Sequence, residues 1–135
     1  MLESRNVSVS IRRPWKEVYE AIWHPESFPK WASGLSKSSV TRQPDGTWRA
    51  VGPTGSVTIR FTDHNAYGVM DHHVLLEVGT EVHVPMRVIA NMDGADVVLT
   101  LFRQPGMSEA QFLHDVGWVE RDLAALRSLL ESGEA

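Results

Sequence analysis

The last element of this chain constrains its fold more than any other feature. Phe112, Val116, Val119, Leu123, Leu126 and Leu130 recur at intervals of three or four, one continuous apolar stripe down a single helix from Ser108 to Leu130. Ser108 followed by Gln111 is a capping-box pattern, Glu109 complements the positive end of the helix dipole, and Gly133 follows the helix. At about 1.5 Å per residue such a helix extends about 35 Å, enough to cross a whole sheet and close over it as a lid.

The preceding residues predict that sheet. Val7, Val9 and Ile11 alternate with Ser8, Ser10 and Arg12, the period of a strand with one wet face. Pro14 suits the first position of a helix, and Trp15, Val18, Tyr19 and Ile22 hold helical spacing until His24-Pro25, where the residue before proline leaves the helical region. Pro25, Phe28, Pro29 and Trp31 predict a second short helical turn. From Leu35 to Gln104, turn signals at Pro44-Asp45-Gly46, Pro53-Thr54-Gly55, His64-Asn65-Ala66, Val78-Gly79-Thr80 and Asp93-Gly94 mark six further strands in an up-and-down meander. The expected architecture is α+β: a seven-stranded antiparallel sheet, two short N-terminal helices, and one long C-terminal helix that encloses a cavity against the sheet.

Strand faces follow from the period of two. Asp93-Gly94 as a two-residue hairpin pairs Met92 with Ala95, Ala90 with Val97, Val88 with Leu99, Met86 with Leu101 and Val84 with Arg103, an apolar face ending in a cation. The opposite face then holds Ile89 with Val98, Arg87 with Thr100, Pro85 with Phe102 and His83 with Gln104. A slip of one residue would exchange the faces. In the strand before it, Met70, His72, Val74, Leu76 and Val78 point inward, so that adjacent His72 and His73 face opposite ways. Val57, Ile59 and Phe61 form another inward row. In the Leu35–Pro53 hairpin, Trp48 and Ala50 are expected inward on a face shared with Thr41 and Ser39.

At 135 residues the chain fits one domain, 1–135, which buries roughly two thirds of the surface of its unfolded form. Its net charge of −4 and the lack of a basic stripe argue against nucleic-acid binding, which needs clustered Lys and Arg. Without cysteine there is neither a disulfide framework nor a thiolate metal site, and the start MLESRNVSVS lacks the pattern of a signal peptide. A cytoplasmic location is the expectation, and no apolar run nears the roughly 18 to 20 residues of a membrane span. The six histidines show neither HExxH nor HxH, so no metal site is expected. The glycines show neither GxGxxG nor a Walker pattern, and no cofactor is expected.

The order of elements, with the phrase Val9-Ser10-Ile11-Arg12-Arg13-Pro14-Trp15-Lys16-Glu17-Val18-Tyr19, resembles the START-like or SRPBCC superfamily, and specifically its polyketide cyclase/dehydrase-like branch. Asp71-His72-His73-Val74, Val84-Pro85-Met86-Arg87-Val88 and Leu101-Phe102-Arg103-Gln104-Pro105-Gly106-Met107 are similar to phrases of small bacterial members named cyclases. The resemblance spans essentially the whole chain and implies the Bet v 1-like helix-grip fold. The superfamily includes lipid carriers, receptors, cochaperone domains and cyclases, so the fold leaves the function open.

A sheet gripped by a helix suits a small, largely apolar or aromatic, polyketide-like ligand. A cyclase moves protons next to carbonyl groups, which takes a general base and a donor for the developing enolate. Inward His72 suits the first role, and Arg103, at the end of the same face, the second. Trp48, Phe61, Met70, Met86, Phe112 and Val116 would wall the pocket. Of the three tryptophans in the Pro14–Trp31 stretch, Trp15 and Trp23 read as core anchors and Trp31 as a pocket rim. The alternative is that His72 is a core histidine with one backbone hydrogen bond and that Arg103 pairs with a carboxylate near a sheet end. In that case the chain is a non-catalytic interaction module, cochaperone-like or homodimeric, with a filled core. Its contact surface would be an apolar outer patch of Pro85, Ile89, Val98 and Phe102.

Overall fold

The computed structural model of the protein describes residues 1–33, 39–52 and 55–132. The Leu35 end of the expected hairpin, the Pro53-Thr54 turn and Gly133 lie outside the described residues. In chain order the elements are β1 (Ser4–Ile11), α1 (Trp15–Ile22), a 3₁₀ turn (Pro25–Lys30), β2 (Thr41–Arg42), β3 (Trp48–Gly52), β4 (Gly55–Phe61), β5 (His72–Leu76), β6 (Glu81–Val84), β7 (Met86–Asn91), β8 (Gly94–Phe102) and α2 (Glu109–Glu131). All strand pairs are antiparallel, in a three-stranded sheet β1-β8-β7 and a five-stranded sheet β2-β3-β4-β5-β6.

Pro85 accounts for the eight described strands where seven were expected. Residues 81–91 run as one extended segment that changes partner at this proline, which has no N–H to give a ladder. Val84 pairs with His72 of β5, whereas Met86 pairs with Leu99 of β8. The two sheets are stitched at the same place. Met70 N–H donates to Met86 O at 2.8 Å, and the Asp71 carboxylate accepts from the Met86 N–H at 2.9 Å and from both ends of the Arg87 fork at 2.8 and 2.7 Å.

The β7–β8 hairpin turns one residue earlier than the Asp93-Gly94 signal predicts. Asn91 pairs with Gly94, so Met92 and Asp93 form the loop and each partner on β8 moves by two. Gly94 serves the approach of β1 instead. A Cβ there would lie 2.9 Å from the Ile11 carbonyl, so β1 comes this close only over a residue without a side chain. Because the shift is even, the faces survive, and Met86, Val88, Ala95, Val97 and Leu99 all sit in the core. The cross-strand partners do not survive. Ile89 faces Asp96 rather than Val98, and Arg103 lies past the end of β8 rather than opposite Val84.

The helices follow their sequence signals closely. Pro14 sits at the N-cap of α1, one position before the expected one, and His24 is extended ahead of Pro25. In α2 the Ser108 hydroxyl accepts from the Gln111 N–H at 3.1 Å, but the Gln111 side chain turns to Asp115 at 2.8 Å, so half of the capping box is made. Phe112, Val116, Leu123, Leu126 and Leu130 are buried along the predicted stripe, and α2 packs on β1. The other end of the helix is held by Arg13, which donates to Leu130 O at 3.2 Å.

Two apolar clusters result. The larger joins α1, Phe28, Trp31, the three-stranded sheet and α2, and the smaller holds Val40, Ala50, Val57, Ile59 and Val74 on the five-stranded sheet. Phe61 and Val84 touch both. Trp48 points inward as expected, but its companions differ: it faces Arg42, and Val40 rather than Thr41 is buried beside Ala50.

Candidate functional site

The site is built around His72, the first residue of β5. Its backbone lies between Phe61 on β4 and Val84 on β6. Period-two geometry sends its side chain inward, where it is 3% exposed, while His73 turns outward and stacks on His83 with ring centroids 4.6 Å apart. The His72 ring meets Phe28 edge-on at 5.6 Å and Phe61 at 5.6 Å. Nδ1 lies 3.0 Å from Met70 O, so this nitrogen carries the proton and donates. Nε2 then keeps an acceptor lone pair, with no hydrogen bond among the described residues. Burial pushes the imidazole down from 6.5 to about 4, against the weaker opposing pull of the Met70 carbonyl and the Asp71 charge.

Arg103 is not brought to this cluster. Its Nε donates to Met107 O at 2.9 Å and its guanidinium pairs with Glu3 at 3.2 Å, at the sheet end where β1 begins. The charges that bear on His72 are those of Asp71, His73 and His83. The two polar residues that the strand pattern aligns on one face are thus separated by the two-residue shift of the β7–β8 hairpin.

Phe61, Met70, Met86, Phe112 and Val116 all belong to or pack against the large cluster, whereas Trp48 packs against the small one. Trp31 is not a rim residue. It is 5% exposed, its ring lies 5.2 Å from Phe28, and its Nε1 is buried with no hydrogen-bond partner among the described residues. Trp15 and Trp23, the expected anchors, are only partly buried against the same cluster.

The interior is closed. Beside His72, a cleft lined by Tyr19, Trp23, Phe28, Phe61, Thr62, Val69 and Met70 admits no water-sized sphere. Met86 and Phe112 fill the space between sheet and helix where the cavity is expected, each at most 2% exposed. A larger open groove of about 710 Å³ lies elsewhere, at the β7–β8 tip beside Arg12 and Arg127.

Two contributors escape sequence reasoning. Phe28, visible only as one apolar residue of a proline-rich turn, contacts Trp31, Phe61 and His72 and is the hub of the site. Asp122 lies beside the apolar stripe of α2 and is buried, where it accepts from the Ser33 hydroxyl at 2.7 Å; Ser33 in turn accepts from Trp118 Nε1 at 2.9 Å. Among the described residues no three His, Asp or Glu side chains converge as metal ligands, and no helix is long and apolar enough to cross a membrane.

The expected outer patch is interrupted. Thr100 donates to Asn6 at 2.6 Å, Ser10 to Asp96 at 2.7 Å, and Arg87 is held by Asp71, so polar pairs separate Pro85, Ile89, Val98 and Phe102.

No protein-family model matches the chain, and no curated protein matches it in sequence. Solved structures do match. The protein XoxI from Bacillus cereus is 15% identical with a TM-score of 0.78, covering 99% of this chain and 99% of its own. The Zhui aromatase/cyclase from Streptomyces sp. R1128 is 16% identical with a TM-score of 0.69, covering 95% and 93%. A START superfamily protein from Mycobacterium smegmatis is 12% identical with a TM-score of 0.68, covering 96% and 97%. At these identities the likeness is one of fold, and it agrees with the layout of strands and terminal helix described above: the chain has the START-like, Bet v 1-like helix-grip fold of the SRPBCC proteins.

Proposed function

We propose that this protein binds a small, largely apolar, carbonyl-bearing ligand between its sheet and α2, in the aromatic interior around His72. The observation that carries this reading is the state of His72: a histidine enclosed by Phe28 and Phe61, neutral at physiological pH, with one nitrogen satisfied and the other free. Aromatic walls with a few placed polar groups are the usual lining of a small-molecule site. Entry requires the side chains at the Tyr19–Trp23–Phe28 cleft to part, because that cleft admits no water-sized sphere. The fold is shared with an aromatase/cyclase, and proton transfer next to a carbonyl is the chemistry His72 would serve. In the closed state its conjugate acid, at about 4, makes it a weak base and mainly a hydrogen-bond acceptor.

Native mass spectrometry of the purified protein, followed by titration with aromatic ketones, tests the reading. A noncovalent adduct or saturable binding at one ligand per chain is expected, and neither appearing would overturn it. If a substrate is identified, a His72→Ala variant that turns it over at the parental rate removes His72 as the base. The closed cleft favours a second reading, an interaction module that self-associates through Pro85, Ile89, Val98 and Phe102, of which Ile89 is exposed. It requires Phe102→Asp to lower the sedimenting mass, and an unchanged mass would reject it.

A further inference from the structure

We propose that the indole N–H of Trp31 is the group that recognises the ligand's oxygen, donating a hydrogen bond to a neutral aryl ketone or quinone-type carbonyl seated against Phe28. This rests on the ligand-binding reading above and names the ligand class and the residue that selects it.

The indole nitrogen is a donor only, and a buried donor without an acceptor is a cost that native interiors almost always avoid. Trp118 shows the ordinary solution, giving its N–H to the Ser33 hydroxyl at 2.9 Å. Trp31 does not follow it. Its backbone N–H is satisfied by Phe28 O at 3.1 Å, but its Nε1 is buried with no partner among the described residues. A tryptophan kept at this position, rather than a phenylalanine of similar packing, leaves one unfilled donor inside the core.

Its position ties that donor to the proposed site. Phe28 contacts Trp31 at 5.2 Å on one side and His72 at 5.6 Å on the other. The unfilled donor at Trp31 is therefore one aromatic ring away from His72. An aromatic guest stacking there meets the donor with an oxygen. That oxygen is neutral, because a bare carboxylate would be costly to bury.

The test uses ¹⁵N-labelled full-length protein, whose five tryptophans give five indole N–H signals. The Trp31 signal is assigned as the one missing in Trp31→Phe. Wild type is then titrated in parallel with acetylnaphthalene and ethylnaphthalene, which share the ring system and differ by the carbonyl. The ketone is expected to move the Trp31 indole proton downfield while the hydrocarbon does not. It is also expected to bind about three- to tenfold more tightly, an advantage that Trp31→Phe abolishes. If both probes bind but shift the Trp31 proton equally, or if Trp31→Phe keeps the preference for the ketone, this inference falls and the ligand-binding reading stands. If neither probe binds, both fall. The comparison of the two probes needs only wild type once the signal is assigned, and a nuclear Overhauser contact to Phe28 assigns it if the variant does not fold.

Discussion

Phe28 stands edge-on to His72, with ring centroids 5.6 Å apart and planes at 82°. This contact helps remove water from the imidazole, and desolvation is the largest cause of its depressed pKa. An unfolded chain titrates its histidine near 6.5, whereas the folded protein holds His72 neutral down to about 4. Above about pH 6.5 neither state binds the proton, and this contribution to stability is fully present. Between about pH 6.5 and 4 the unfolded state binds a proton that the folded state refuses, and stability falls by on the order of 3 kcal/mol. Denaturant unfolding across this range should show that loss in wild type, and His72→Gln should flatten it. A His72 ring that titrates near its ordinary value by NMR would refute the assignment.

Asp71 holds β5 to β7 at the place where the extended segment changes sheets. Its carboxylate is kept below the ordinary range first by the Arg87 hydrogen bonds, with the Met86 N–H adding to them. Its contribution is present above the unfolded carboxylate range and is lost as pH falls through the depressed folded value. Asp71→Asn should destabilise by about 1 to 2 kcal/mol, discounted because Arg87 is half exposed. A double-mutant cycle with Arg87→Gln measures the pair, and a coupling near zero would show that the backbone bonds alone join the sheets.

Gly68 and Gly46 both have positive φ, +71° and +88°, but their surroundings differ. A Cβ at Gly68 would collide with the Val88 carbonyl oxygen, while one at Gly46 meets nothing within 4 Å. Gly46→Ala should cost only the left-handed strain, about 1 to 2 kcal/mol. Gly68→Ala should cost distinctly more, because Val88 N–H also donates to Gly68 O and β7 would have to move. Equal melting temperatures for the two variants would contradict this packing.

Met92 takes a φ of 54° at the β7–β8 tip with its side chain 95% exposed. It bears left-handed strain and offers no packing in return. Met92→Gly should therefore stabilise the protein by up to about 1 kcal/mol, the strain relief less the added freedom of the unfolded glycine. A lower unfolding midpoint for the variant would show that the side chain has a contact role.

The amino-acid sequence by itself determined what is local and periodic. The stripe of α2, the inward rows Val57-Ile59-Phe61 and Met70-His72-Val74, the helix end at His24 and the opposite directions of His72 and His73 all follow from helical or strand period and from proline's effect on its neighbour. Only tertiary structure decided which residues meet. The β7–β8 register lies two residues from the expected one, and the pairing of β1 with β8, with Ser4 opposite Phe102, sets Arg103 beside Glu3 instead of near His72. Pro85 ends one ladder and starts another, which makes two sheets of one meander. Phe28 becomes the hub, and Trp31 is buried with its N–H unfilled, because the 3₁₀ turn folds in against β4 and β5. A period is written in neighbouring residues, whereas register, partner exchange and burial are settled by contacts between residues far apart in the chain.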